Sequence, residues 1–185
     1  KLLLDEDLRE RLGATDLPKI DSARRKEIST LPVLFTTRHD TWRYLGFKHV
    51  NGPSTWGSYA KAQYVALVHN DYNVPLAEIA KQIGDYNSTV LRMYRGLMVI
   101  EQAERARVFN RRDIAKGEFY FNYIYTGIEY PGIRHFLGLN GKVAARDPVP
   151  RNKLKNLKWL CLWLYGNATT PSLIKSQNPD LKRLD

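Results

Sequence analysis

Cysteine is all but missing from this chain of 185 residues: Cys161 stands alone inside the apolar run LKWLCLWLYG. No internal disulfide can form and no cysteine-rich metal site can be built, so a buried structural thiol is expected. The histidines, His39, His49, His69 and His135, show no His-x-x-x-His spacing and no pairing with cysteine, which removes the usual zinc patterns. A glycine-rich phosphate loop ahead of a Lys-Ser/Thr pair is lacking too. No stretch approaches the ~20 apolar residues that a membrane-spanning helix needs, and the N-terminus carries no signal-peptide pattern. Acidic residues are in deficit, 19 Asp and Glu against 29 Lys and Arg, for a net charge of +10. Together these features lead us to expect a cytoplasmic protein with no membrane partner and a preference for polyanions such as nucleic acid.

What is present reads mostly as helix. Leucines at 2, 3, 4, 8 and 12 have helical spacing, and DSARRKEI from Asp21 is a short polar helix or loop. LPVLFTT, Leu31 to Thr37, is the one expected strand, and RHDTWRYLGF the helix after it. Asn51-Gly52-Pro53 forces a turn. Beyond it, helices are expected over Trp56–Tyr72, Pro75–Ile83 and Asn87 to about Val108, then in FYFNYIYTGI, PGIRHFLGL, LKNLKWLCLWLYG (ended by Gly166) and SQNPDLKRL. The chain starts and stops inside helical patterns, so it is expected to belong to a longer polypeptide.

The stretch IAKQIGDYNSTVLRMYRGL, Ile79 to Leu97, carries the chemistry. Two helices crossing at a wide angle need a glycine at the turn, a small residue at the contact and branched apolar residues inside. Gly84, Ala80, and Ile79, Ile83, Val90 and Met93 supply these. The second helix would be capped by Asn87, Ser88 and Thr89, with Ser88, Thr89, Arg92 and Arg95 on its outer face, where they could contact phosphates or base edges; Lys81 could touch the backbone. The alternative is that the arginines form a solvated face paired with Glu78 or Asp85. Arg105, Arg107, Arg111, Arg112 and Lys116 beyond the helix either widen a phosphate-contacting surface or are ordinary surface charge. The acidic run Asp5–Glu10 reads as a solvated helix face, and the aromatic FYFNYIYTGIEY reads as core rather than as a base-stacking platform. The helix Leu154–Tyr165 is apolar on nearly all sides, so it is either buried here or covered by a protein partner or second subunit.

PLAEIAKQIGDYNSTVLRMYRGL resembles the helix-turn-helix of ParB-like proteins, in which I-A-x-x-x-G is followed by S-T-V and then Arg: here Ile79, Ala80, Gly84, Ser88, Thr89, Val90 and Arg95. The upstream LPVLFTT and its following helices resemble the end of a ParB/sulfiredoxin-like domain, and the C-terminal pieces resemble the helical extension of bacterial proteins carrying that domain. The resemblance implies DNA as partner, admits a homodimer, and implies CTP or another NTP with Mg in the full protein. The family's Gly-Glu-Arg-Arg motif does not occur and is expected before Lys1. Its Glu-Asn and Arg motif is replaced by HVNGPSTW, which leaves His49 and Asn51 as the nucleotide-facing candidates or, for His49, a structural turn residue.

The expected fold is therefore mainly α: a helical domain containing a helix-turn-helix, preceded by a partial α/β ParB/sulfiredoxin-like segment. The expected divisions are 1–50, 51–112 and 113–185. The expected function is a DNA-binding, nucleoid-associated module, in the family's manner a nucleotide-dependent clamp, with no cofactor and no catalytic residues in this part of the chain. The competing readings are a nucleotide-hydrolysing or nuclease enzyme of the same fold, in a setting such as phage defence, and a helical protein-interaction module.

Overall fold

The computed structural model describes residues 4–13, 18, 20–30, 33–51, 56–85, 88–114, 119–139, 145–175 and 177–185. They are mainly helical and contain no strand. The chain divides into two compact units, Lys1–Thr37 and Arg38–Asp185.

In the first unit, α1 (Glu6–Arg11) and α2 (Ser22–Ser29) each start behind an aspartate whose carboxylate accepts from a backbone N–H of the first turn: Asp5 from Leu8 at 3.0 Å and Asp21 from Arg24 at 2.8 Å. The strand expected over Leu31–Thr37 is not formed in its described part. Residues 33–37 lack secondary structure, and Val33, Leu34 and Phe35 are exposed. A strand needs a neighbour to take its N–H and C=O groups, and none is there among the described residues. The mainly helical class holds; the α/β character expected of this segment has no strand to rest on.

The second unit runs α3 (Trp42–Gly46) directly into a π-turn (Phe47–Asn51), then α4 (Ser58–Asn70), α5 (Leu76–Ile83), α6 (Thr89–Arg105), α7 (Phe121–Gly127), α8 (Pro131–Leu137), α9 (Leu154–Tyr165) and α10 (Gln177–Leu184). Short 3-10 turns lie at Arg111–Asp113 and Arg151–Lys153. Helix α6 is the hub, touching α4, α5, α7 and α9. Its sequence explains why: from Gly96 to Ile100 every residue is buried, so this part of the helix has no solvent face. Helices α4–α6 and α7–α10 contribute to one hydrophobic cluster.

Two contacts set how closely the layers approach. A Cβ added at Gly96 would lie 2.5 Å from Tyr125 Cβ and 2.9 Å from Tyr125 Cα, so α6 and α7 meet nearly backbone to backbone. Among the described residues Gln102 is the buried polar residue of the core, and its side-chain amide is engaged at both ends: Nε2 donates to the Val149 carbonyl at 2.7 Å, and the Val149 N–H donates to Oε1 at 2.8 Å.

The apolar helix α9 turns Leu157, Leu160, Cys161, Leu164 and Tyr165 into this core. Most of its apolar surface is therefore covered within the chain itself. The aromatic segment is also packed, as expected: Phe121 and Ile124 are buried, and the rings of Tyr59, Phe119, Phe121 and Tyr125 meet tilted or edge to face.

Substituting Gly96→Ala should destabilise the fold by about 3 kcal/mol in denaturant unfolding, because the new methyl meets backbone and not a flexible side-chain end. Burial raises the Cys161 thiol from 9.0 to about 12. Between those values the unfolded chain has released this proton and the folded chain has kept it, so stability should fall as pH rises from about 9 to about 12. The Tyr64 hydroxyl, raised from 10.0 to about 12 chiefly by burial, adds to the same loss. Unfolding midpoints measured across that range should decline less steeply in Cys161→Ala than in the unaltered protein.

Candidate nucleic-acid interface

Helix α5 begins behind Pro75, whose carbonyl accepts from Ile79 N–H at 3.0 Å. It buries Ile79 and Ile83 and ends at Gly84, where φ is 72°. There the Asp85 N–H returns to the Ala80 carbonyl at 2.8 Å and the Gly84 N–H to the Lys81 carbonyl at 3.4 Å. This is the Schellman closure, and its left-handed position is the reason a glycine stands at 84.

The start of α6 differs from expectation. Asn87 lies outside the described residues. Ser88 has φ 55° and makes no side-chain capping bond. The cap comes from across the turn, where Asp85 Oδ2 accepts from Val90 N–H at 2.6 Å. An N-cap residue normally has extended backbone geometry, and left-handed Ser88 does not, so its hydroxyl is not directed at the helix N–H groups. The carboxylate also suits the positive end of the helix. A phosphate approaching this helix end would meet Asp85 first, so any polyanion contact here depends on side chains.

Those side chains are distributed as follows. Lys81 and Ser88 are exposed; Thr89, Arg92 and Arg95 are half-buried. Val90 and Met93 face inward and hold the helix against the core. Arg92 and Arg95, three residues apart, lie on one side of α6. No acidic residue occurs between Asp85 and Glu101. The Nε of Arg92 is buried and forms no hydrogen bond. Glu78, a potential partner, accepts from Gln82 Nε2 at 2.6 Å.

The basic continuation is partly consumed inside the molecule. Arg105 bonds Asp147 at 2.9 Å, Glu101 at 3.4 Å and the Arg146 carbonyl at 2.7 Å. Arg111 grips Glu104 through Nε at 2.6 Å and Nη2 at 3.1 Å, and its guanidinium lies 4.7 Å from the Tyr59 ring centre. Both are structural cations that tie the end of α6 to its surroundings. Arg107 and Arg112 are exposed or nearly so, and Lys116 lies outside the described residues.

His49 sits in the π-turn, half-buried, with its ring stacked at 4.6 Å on Trp56 and its carbonyl accepting from Trp56 N–H at 3.1 Å. The π-turn packs against α5. Asn51 ends that turn, its side chain outside the described set. Among the described residues no group of three His, Cys, Asp or Glu could hold a metal ion, and no helix is long and apolar enough to cross a membrane. No protein-family model, curated protein or solved structure matches the chain.

Asp85 is the residue that sequence reasoning assigned only as an ion-pair partner; its place just past the α5 glycine was the available signal. Asp85→Ala should lower unfolding stability by about 1 kcal/mol, and Asp85→Asn by much less, because an amide oxygen can still accept from Val90.

Proposed function

We propose that the chain is a DNA-binding module of ParB-like kind, contacting duplex DNA through Ser88, Thr89, Arg92 and Arg95 of the α6 N-terminal turns and through Lys81 of α5. The observation that carries this reading is the acid-free stretch from 86 to 100, in which two arginines share one side of a helix whose inner side is locked into the core. A rigid helix presenting guanidinium groups from a stretch that holds no carboxylate suits a polyanion. The net charge of +10 favours the same class of ligand at long range.

The resemblance of Ile79 to Arg95 to the ParB-like helix-turn-helix supports the choice of duplex DNA over other polyanions. On the same resemblance, residues 1–50 are the end of a ParB/sulfiredoxin-like domain, and nucleotide-dependent clamping belongs to the full protein. His49, stacked on Trp56, fits a packing role in this part of the chain.

Duplex binding followed by fluorescence anisotropy against salt tests the reading. Arg92→Ala/Arg95→Ala should weaken binding by about tenfold or more and lower the log–log salt slope by about 2, one for each phosphate that is no longer neutralised. Asp85→Asn should act in the opposite sense, tightening binding by removing a negative charge from the approach to α6. Unchanged affinity and slope in the double variant would rule out α6 as the contact.

A further inference from the structure

The segment from 148 to 179 holds Arg151, Lys153, Lys155, Lys158 and Lys175 and no acidic residue at all. Much of it is α9 and the turn leading into it, and α9 is amphipathic in an unusual way. Its inner side is mostly aliphatic and buried. Its outer side presents Lys155, Lys158 and Trp159, all exposed, with Trp159 at 46%.

Trp159 is not a stray surface ring. It lies 6.5 Å from Trp163, one helical turn on, at an interplanar angle of 28°. Trp163 in turn lies 5.4 Å from Phe136 of α8, also at 28°. The three rings form a near-parallel series that begins on α8 and ends at Trp159. Asn156 fastens the two helices together, donating to the Phe136 carbonyl at 2.7 Å. A ring backed by Trp163, which is itself backed by Phe136, is pre-organised, so a ligand that covers it loses little side-chain entropy on binding.

We propose that the outer side of α9 is a second nucleic-acid site, which takes unpaired nucleotides: a base stacks on Trp159 while Lys155 and Lys158 hold the adjoining phosphates. An exposed indole flanked by lysines, in a segment without carboxylates, matches the pairing of a flat apolar face with a negative backbone that a single strand offers. A duplex hides its base faces within the stack, so this site favours single strands, in contrast to the groove-directed contact proposed for α6. An acidic peptide would satisfy the lysines and leave the indole uncovered. An anionic lipid surface would call for a wider apolar area than one half-exposed tryptophan among lysines. The proposal uses none of the residues assigned to duplex binding, so either can fail alone.

The test measures binding of the full chain to an oligo-dT strand, to an abasic deoxyribose-phosphate strand of equal length, and to duplex DNA. Oligo-dT should bind about tenfold more tightly than the abasic strand, the equivalent of one stacked base. Trp159→Ala should abolish that preference and Trp159→Phe should keep most of it. Lys155→Gln/Lys158→Gln should weaken both single strands and flatten their salt dependence. Duplex affinity should stay unchanged in all three variants and fall only in Arg92→Ala/Arg95→Ala. Equal affinity of the unaltered protein for oligo-dT and the abasic strand overturns the proposal without recourse to any variant. Retention of the oligo-dT preference by Trp159→Ala overturns it as well. So does a Trp159→Ala variant that loses binding to phosphatidylserine vesicles or to polyglutamate while its oligo-dT affinity is unaltered.

Discussion

The near-contact of backbones at Gly96 and Tyr125 governs the second unit. It lets α7 lie directly on α6, and with α4, α5 and α9 on its other sides the middle of α6 becomes a helix without a solvent face. A helix so enclosed cannot tilt or slide without opening the core. Its first two turns, which emerge from that enclosure, carry Arg92 and Arg95 on a base as stiff as the core itself. The proposed duplex contact thus inherits its rigidity from residues that never meet a ligand.

Charge is apportioned in a similar way. A surplus of +10 could be spread evenly, but part of the basic complement serves to hold the fold: Arg105 joins α6 to Asp147, and Arg111 joins Glu104 to an aromatic wall. The cations of the two proposed contacts, on the first turns of α6 and the outer side of α9, both come from stretches that hold no carboxylate. The two differ in what accompanies the charge. Around α6 it is hydroxyl groups and a capping carboxylate; around α9 it is an indole supported by stacked rings.

The helices were legible because their apolar residues repeat at helical spacing and because glycines and prolines mark their limits. Pro75, Gly84 and Gly166 fall at element ends as expected, with Gly84 and Gly166 both at positive φ. The inward set Ile79, Ile83, Val90 and Met93 was also readable, since each is a branched or long apolar residue on one side of its helix. The segment 33–37 was misread because β-branched and aromatic residues describe what a strand would accept, whereas a strand exists only if a second one lies beside it. The cap of α6 was misread for a related reason. Serine is a preferred capping residue, yet that preference assumes extended geometry at its own position, and a turn closing on Gly84 sets Ser88 otherwise. The structural role of Arg111 depends on Glu104 and on Tyr59 of α4, and no local pattern announces the contact with Tyr59.

The clasp between Gln102 and Val149 has a consequence for how a loop can be buried against a helix. Residues 148 to 150 read Pro-Val-Pro, and proline has no N–H, so only one backbone donor of the three needs a partner. Proline at 150 also biases Val149 toward an extended conformation, in which its N–H and C=O point to the same side. One primary amide, offering one donor and one acceptor side by side, then meets the needs of Val149 at both its polar groups. A chain whose described residues contain no strand thus uses a glutamine side chain in the place where a neighbouring strand would otherwise stand.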